Sequence, residues 1–288
     1  MEEGRVTARQ AYAKAGQALH RAGLTREAAG REARELLAFC WEREGLALLL
    51  DFDASLPDAV LERYEAMVQC RCTGKPMAYL IKSEFFRGRP LQVWEGVLIP
   101  RADTEILVEQ ALARLPEGEP ARLLELGCGS GAVLAAIAAE RPLLRGEGVD
   151  INPLAVALTE KNLAAWGVSA RVTVKCGSWF LAVSPEEKWT MIVSNPPYIS
   201  TEEMEALPKE VKREPWEALW GGEDGLDHYK LLVPEAATRL TPGGWCLMEI
   251  GWRQGPAVEE LFHAAGLAEV TVHRDLGQRD RVVAGQKR

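Results

Sequence analysis

Apolar residues recur every three or four positions through the first 80 residues, as they do along the buried face of an amphipathic helix. Thr7 and Gln10 have the spacing of a capping box at the start of the first run. Thr25 and Pro57 stand where two further helices would begin. The pattern therefore predicts a helical bundle, to which we assign residues 1–73.

Between residues 74 and 100 the apolar positions fall in short pieces, and Gly88 separates two of them. Such spacing is typical of extended chain with a tight turn. We predict extended pieces at Ala78–Ile81, Glu84–Phe86, Leu91–Val93 and Val97–Ile99, which together form a β-hairpin linker. An amphipathic helix is then predicted from Asp103 to Leu115.

After Pro120 short β-branched runs alternate with helical patterns, which predicts a mostly parallel sheet with helices on both faces. The last two strands are separated by only five residues, so we expect that pair to be antiparallel. This second domain spans residues 101–288. Its seven predicted strands are Arg122–Leu126, Gly146–Asp150, Arg171–Lys175, Met191–Ser194, Gly244–Ile250, Ala268–Arg274 and Asp280–Gly285.

The first predicted strand runs into Gly127-Cys128-Gly129-Ser130-Gly131, a turn in which glycines let the backbone approach a ligand. Such turns occur in NAD, FAD and S-adenosylmethionine sites. Two features favour S-adenosylmethionine. The spacing is GxGxG, and Glu125 precedes the first glycine by two residues, where a carboxylate suits an ammonium group better than a pyrophosphate.

The next two strands supply further candidate cofactor contacts. Asp150 ends the second strand, where a carboxylate can accept hydrogen bonds from ribose hydroxyls, although it could instead cap the helix that begins at Asn152. Trp179 follows the third strand and could stack on an adenine ring or simply plug the sheet edge.

Asn195-Pro196-Pro197-Tyr198 follows the fourth strand at the edge where ligands bind in open α/β sheets. The prolines fix φ and remove two backbone donors, so the turn is stiff. The Asn195 side-chain carbonyl and the Pro196 backbone carbonyl could accept both hydrogens of a planar NH2 group, with Tyr198 stacked on its plane. A purely structural Pro-Pro loop is the alternative.

Composition restricts the partners. The chain of 288 residues carries 42 acidic and 34 basic side chains and no polybasic run, which argues against a broad nucleic-acid interface. The predicted bundle is nearly neutral, with 11 basic and 12 acidic residues up to Lys75, which suits docking to a protein better than binding to nucleic acid, although plain packing is the alternative for any one residue.

The cysteines and the N-terminus indicate the compartment. Six cysteines are scattered, and Cys70 and Cys72 have the wrong spacing for zinc or a redox pair. We therefore expect reduced, mostly buried thiols and no metal. No apolar run is long enough to cross a membrane and no signal peptide is evident. We expect a cytoplasmic monomer without membrane contact.

The order of glycine turn, Asp150 and Asn195 turn resembles class I S-adenosylmethionine-dependent methyltransferases, and the chain resembles the HemK/PrmC family in particular. The resemblance covers nearly the whole chain. Its markers are Gly74-Lys75-Pro76-Met77-Ala78-Tyr79-Leu80, Leu98-Ile99-Pro100-Arg101 with Thr104-Glu105, Ile192 to Ile199, Glu214-Pro215 with Ala218-Leu219, Gly221 to Leu226, Glu249-Ile250-Gly251 with Gln254, and Asp280-Arg281-Val282-Val283. Ala102 and Ser178 depart from the family, which usually has a second proline and an aspartate there.

The resemblance implies methyl transfer from S-adenosylmethionine to the glutamine amide nitrogen in the Gly-Gly-Gln loop of class 1 peptide release factors. Asn195, Pro196, Pro197 and Tyr198 would hold the amide, and Asn195 would also face the cofactor. Three alternatives share parts of this pattern: a ribosomal-protein glutamine methyltransferase, an adenine-amine methyltransferase of DNA or RNA, and a non-catalytic S-adenosylmethionine-binding protein. The acidic net charge counts against the nucleic-acid substrate.

Overall fold

The computed structural model describes residues 6–43 and 45–288, and the chain divides into two compact units. The first unit comprises residues 1–82 together with 209–213, and the second comprises residues 83–208 and 214–288. The first unit thus continues past residue 73 and gains a short segment from much later in the chain. The two units are described separately below.

The first unit is helical, as predicted for residues 1–73, and one later segment that was predicted to be extended is helical as well. Thr7 and Gln10 form the predicted capping box, and the Thr25 side chain caps the second helix. Ala78–Ile81, however, is helical and not extended. The helices are α1 (Ala8–Arg21), α2 (Arg26–Trp41), α3 (Gly45–Leu50), α4 (Asp58–Cys72) and α5 (Met77–Ile81).

The core of the first unit contains a buried ion cluster beside its apolar side chains. Arg71 on α4 is 2% exposed, and its guanidinium contacts the Glu32 and Glu210 carboxylates, each at 2.7 Å. Arg213 donates to the Thr73 carbonyl at 3.2 Å. The late segment 209–213 is therefore attached to this unit by charge-assisted hydrogen bonds.

The second unit begins with the predicted hairpin of β1 (Ser83–Phe86) and β2 (Arg89–Gln92), which precedes α6 (Glu105–Arg114). A seven-stranded sheet follows, with the order β5-β4-β3-β6-β7-β9-β8. Its strands are β3 (Ala121–Leu126), β4 (Leu144–Asp150), β5 (Val172–Cys176), β6 (Trp189–Ser194), β7 (Leu240–Glu249), β8 (Ala268–Arg274) and β9 (Asp280–Gln286). The helices that follow α6 are α7 (Ala132–Glu140), α8 (Pro153–Ala165), α9 (Thr201–Ala206), α10 (Asp227–Arg239) and α11 (Gly255–Ala264).

The sheet is parallel except for β9, which runs antiparallel to both β7 and β8, so the expected final pair is confirmed. Consecutive residues of a strand point to opposite faces. Leu123 and Leu124 of β3 accordingly lie in different apolar cores, and both are completely buried. Burial on both faces accounts for the continuous apolar run at the centre of β6, residues 191–193.

Candidate active site

A cavity of about 590 Å3 lies at the carboxyl ends of the parallel strands of the second unit. This volume is within the range typical of cofactor sites. Residues at or just beyond the ends of β3, β4, β5 and β6 line it, together with two loops and one residue of α10. The lining residues are Gly96, Val97, Leu98, Gly127, Gly129, Val149, Asp150, Ile151, Asn152, Ala155, Gly177, Ser178, Trp179, Asn195, Pro197, Pro215, Glu217, Ala218 and His228.

The glycine turn connects β3 to α7 and brings its backbone to the cavity. Gly127 has a φ of +70° and Gly131 a φ of +76°, a region that side chains disfavour. A Cβ atom on Gly131 would also lie 2.6 Å from Thr159 Cγ2. Gly127 and Gly129 line the cavity, whereas Cys128, Ser130 and Gly131 shape the turn behind them.

Glu125 lies beneath this turn and outside the set of lining residues. Its carboxylate accepts a hydrogen bond from the Leu134 amide at 2.9 Å, and burial raises the pKa of Glu125 well above its ordinary value. The carboxylate therefore ties the end of β3 to the first turn of α7. The predicted contact with a ligand ammonium group remains a prediction.

Asp150 at the end of β4 lines the cavity, and local backbone amides fix its carboxylate. Oδ2 accepts from the Gly129 amide at 2.8 Å and Oδ1 from the Asn152 amide at 2.9 Å. Burial raises the pKa of Asp150, and these hydrogen bonds lower it. The cap of α8 is Asn152, whose side chain accepts from the Leu154 amide, so Asp150 does not serve as that cap.

Trp179 borders the cavity and also packs on the apolar core that contains Leu124, and its two predicted uses stay predictions. Its ring covers Gly127 and meets the His228 ring at a centroid distance of 5.3 Å. Burial lowers the pKa of His228, which favours the neutral imidazole. The sequence analysis did not select His228, because a lone histidine on a helix carries no distinguishing pattern.

The Asn195 turn leaves β6 on the other side of the cavity from β5. Asn195 and Pro197 line the cavity, whereas Pro196 is buried beside them and Tyr198 packs on the apolar core that contains Leu124. Within residues 6–43 and 45–288, no donor reaches the Pro196 carbonyl. The Tyr198 carbonyl accepts from Gln254 Nε2 at 2.9 Å. The turn is thus held at Tyr198, and the Pro196 carbonyl stays available to a ligand.

Polar residues from distant segments support this turn. The Asn195 Nδ2 group donates to Thr104 Oγ1 at 3.3 Å. Glu214 is buried, accepts from the Ile99 amide at 3.0 Å and pairs with Arg101. Arg281 pairs with Asp103 at 3.1 Å and with Asp275 at 3.0 Å.

These supporting residues explain several of the markers that the sequence analysis noted without assigning a role. Glu214 precedes the cavity-lining residues Pro215, Glu217 and Ala218, so its contacts hold that loop over the cavity. Gln254 donates to the Gly225 carbonyl at 3.1 Å as well as to Tyr198. The short patterns around them were visible in the sequence, but the contacts were not.

The structure also bears on metal binding, on membrane-spanning helices and on the burial of the cysteines. Across residues 6–43 and 45–288, no group of three or more His, Cys, Asp or Glu side chains has metal-binding geometry. No helix in the same part of the chain is long and apolar enough to cross a membrane. Cys40, Cys128 and Cys246 are buried, but the other three cysteines are partly or fully exposed, so "mostly buried" was wrong.

The arrangement defines the fold of a class I S-adenosylmethionine-dependent methyltransferase. A methyltransferase from Pyrococcus furiosus supports the fold, with a TM-score of 0.52 over 77% of this chain and 97% of that chain at 16% identity. Residues 10–81 match the PrmC N-terminal domain, and residues 102–213 match the methyltransferase small domain.

Relatives of known family lie much closer in sequence. A release factor glutamine methyltransferase from Cereibacter sphaeroides is 42% identical over 90% of this chain and 91% of its own length. The enzyme of the same description from Escherichia coli is 37% identical over 90% of this chain and 93% of its own length. The chain therefore belongs to the HemK/PrmC family of release factor glutamine methyltransferases, which confirms the resemblance.

Proposed function

We propose that this protein transfers a methyl group from S-adenosylmethionine to the side-chain amide nitrogen of the glutamine in the Gly-Gly-Gln motif of class 1 peptide release factors. One structural observation carries the proposal: Asn195 and Pro197 line the same cavity as Asp150 and the glycine turn. Asn195, which carries one of the two predicted amide acceptors, thus adjoins the predicted cofactor contacts. The names of the relatives agree with this activity.

The residues present fit the cofactor. The Asp150 carboxylate retains acceptor capacity for ribose hydroxyls beyond its two backbone hydrogen bonds, and Trp179 offers an aromatic face. At Gly131 a side chain would collide with Thr159, so the close turn depends on glycine. Bound S-adenosylmethionine would supply an electrophilic methyl group attached to a positively charged sulfur.

The protein's contribution is to position and polarise a weak nucleophile. A primary amide nitrogen has a delocalised lone pair, so it attacks slowly. Asn195 Oδ1 and the Pro196 carbonyl would each accept one of its hydrogens, and these hydrogen bonds strengthen as positive charge develops on nitrogen. The excess proton becomes acidic only after the new N–C bond has formed, so no general base is required before attack. Orientation then accounts for much of the acceleration.

Transfer of a radiolabelled methyl group tests the proposal. Purified protein is offered a class 1 release factor, a ribosomal protein and DNA under identical conditions. We expect label only on the release factor, and none when its target glutamine is replaced by glutamate, which has no NH2 group. Label on the ribosomal protein or the DNA alone would replace the proposed substrate, and cofactor binding without transfer to any of them would favour a non-catalytic protein.

We further propose that the helical unit contacts a folded part of the release factor away from the glutamine. A glutamine side chain offers little surface, whereas a specific protein interface buries roughly 1,200 Å2 or more. Three leucines of α3 are exposed at 60% or more and could supply apolar contact area: Leu46, Leu49 and Leu50.

Point changes suit this test better than truncation, because residues 209–213 also belong to the helical unit. Replacing Leu46, Leu49 and Leu50 by serine should lower kcat/KM on the intact release factor while methylation of a short Gly-Gly-Gln peptide is unaffected. Leu276→Ser, at an exposed leucine of the second unit, is the matched control. Equal losses on protein and peptide would argue against docking through α3.

A further inference from the structure

Two tryptophans of the second unit form a stacked pair that is open to solvent. The centroids of the Trp216 and Trp220 rings lie 4.4 Å apart, with 26° between the ring planes. Trp216 is 50% exposed. Because Trp220 covers one face of this ring, the exposed area belongs mainly to its other face and its edges. The chain thus presents a flat apolar surface that no function described so far uses.

Side-chain and backbone contacts hold this pair in place. The Trp220 Nε1 group donates to Thr201 Oγ1 at 3.0 Å. The backbones of Trp220 and Ile199 form a β-bridge, and the Gly221 amide donates to the Ile199 carbonyl at 2.9 Å. Trp216 is therefore stacked on a fixed partner. A ring that is already ordered loses little conformational entropy when a ligand covers it.

The loop that carries the pair lies against the predicted amide site. A Cβ atom on Gly221 would lie 2.7 Å from the Pro197 carbonyl oxygen, so this loop packs directly on the turn that would hold the amide. Pro215 and Glu217, the two sequence neighbours of Trp216, both line the cavity. Trp216 therefore stands at the rim of the cavity, beside the predicted position of the substrate amide.

A chain of glycines matches such a ring. Once a glutamine side chain enters the cavity, the residues next to it in the substrate lie along the rim. Peptide groups are flat, and a glycine has no Cβ atom to keep its backbone away from an aromatic face. Two successive glycines can therefore bring their peptide planes and Cα–H groups into direct contact with an indole ring.

We propose that the open face of Trp216, supported by Trp220, binds the backbone of the two glycines that precede the target glutamine in the release factor. The inference rests on the proposed function, because it takes the Gly-Gly-Gln segment as the substrate. The ring holds the segment that flanks the reacting group and takes no part in the chemical step. Its loss should therefore raise KM and leave kcat nearly unchanged.

Methylation of a short Gly-Gly-Gln peptide tests the ring separately from the proposed contact of α3. Trp216→Leu keeps an apolar side chain without the flat face, and it should raise KM for the peptide about ten-fold. Trp216→Phe keeps an aromatic face and should recover most of the affinity. Phe85→Leu, at an exposed aromatic residue of β1, is the matched control and should leave KM unchanged. The same KM for Trp216→Leu as for the unchanged protein would overturn the proposal.

An alanine in the peptide locates the contact. Replacing the glycine next to the target glutamine by alanine puts a methyl group between backbone and ring, so kcat/KM should fall for the unchanged protein. The fall should be smaller for Trp216→Leu, because both changes then disrupt the same contact. A glycine that is needed only for its backbone conformation gives the same penalty in both proteins. Equal penalties would therefore contradict a contact between the ring and this glycine.

Sedimentation of the free protein examines a second copy of this chain as the alternative occupant of the ring. We expect the unchanged protein and Trp216→Leu to sediment alike at every protein concentration. A concentration-dependent dimer that the substitution abolishes would assign the ring to an interface between two copies and overturn the proposal.

A binding measurement without turnover distinguishes this inference from the proposed function. Protein saturated with S-adenosylhomocysteine has no methyl group to transfer, and the peptide is isotope-labelled at both glycines. Protons above an indole face are shielded, so the glycine Hα resonances should move upfield on binding, and Trp216→Leu should abolish the shift. A methylated peptide without this shift would overturn the inference and leave the proposed function standing. The shift in a protein that methylates no release factor would support the contact and remove the proposed function.

Discussion

Two halves of the cavity are built differently. The cofactor half comprises the glycine turn after β3 and Asp150 at the end of β4, and the acceptor half comprises the Asn195 turn after β6 and the segments that contact it. At the ends of β3 and β4, the Asp150 carboxylate accepts from Gly129 and Asn152, which belong to the loops that immediately follow these two strands. At the ends of β6 and β7, Asn195 meets Thr104, 91 residues earlier, and Arg101 meets Glu214, 113 residues later. One half is a local structure, and the other is assembled from remote segments.

This difference means that the two halves can be changed separately. Loops that bind their own backbone tolerate changes elsewhere in the chain, so cofactor affinity should survive most substitutions around Asn195. The acceptor half depends on correct packing of four segments, namely 99–104, 195–198, 214–218 and 249–254. Turnover should therefore be the more sensitive quantity.

Asn195→Ala should give the largest effect, and it should impair turnover without affecting cofactor binding. We expect turnover to fall on the order of a hundred-fold or more, because one transition-state hydrogen bond is lost. Cofactor affinity measured by calorimetry should change little. Tyr198→Ala should also be severe and Tyr198→Phe mild, since the ring face matters more than the hydroxyl. Preserved turnover in Asn195→Ala would make the turn purely structural.

Asp150→Ala is the reciprocal test of the cofactor half. The loss of charge-assisted hydrogen bonds, worth roughly 1.5–3 kcal/mol, should weaken S-adenosylmethionine by about ten-fold or more. At saturating cofactor, kcat should stay close to that of the unchanged protein. Asp150→Asn keeps one acceptor oxygen and should be intermediate. Unchanged affinity by calorimetry would remove Asp150 from the cofactor site.

Gln254→Leu examines the long-range contacts of the acceptor half. Its side chain accepts from the Gly251 amide at 2.9 Å and donates to the carbonyls of Tyr198 and Gly225. We expect the free energy of unfolding to fall by about 1–3 kcal/mol and kcat by several-fold, with cofactor affinity retained. Denaturant titration and steady-state kinetics measure both quantities. A loss confined to cofactor binding would contradict the division into two halves.

Ser178→Asp should have the smallest effect and sharpen the cofactor half. Ser178 lines the cavity where related enzymes usually carry an aspartate, and an added carboxylate could accept from the adenine amino group. One such hydrogen bond, worth about 0.5–1.5 kcal/mol, should tighten cofactor binding a few-fold. Ser178→Ala is the control and should change affinity little. Weaker binding by the aspartate variant would show that adenine lies elsewhere.

The same contrast explains how far the sequence could be interpreted. Strand positions and the glycine turn follow from local apolar patterns, and all seven predicted strands are found, with ends displaced by a few residues. Ala78–Ile81 was assigned wrongly because five apolar residues after a proline are too few to distinguish a helix from a strand. The local apolar pattern was too short to assign the secondary structure of this segment.

The acceptor half could be predicted only at Asn195 itself. The contacts of Thr104 with Asn195 and of Glu214 with the Ile99 amide join remote segments, and a single sequence does not specify such contacts. Thr104 before a helix is typically a cap, and Glu214 in a loop could equally have been a solvent-facing residue. Their burial, visible only in the folded chain, is what distinguishes them.

The segment 209–213 affects how this protein can be divided at the level of its gene. The chain leaves the helical unit after residue 82, returns to it for these five residues and leaves again. A fragment that ends at residue 82 lacks Glu210, so Arg71 loses one of its two carboxylate partners and keeps the ion pair with Glu32. Grafting the helical unit onto another enzyme therefore requires two coding pieces, one of them inserted after the Asn195 turn.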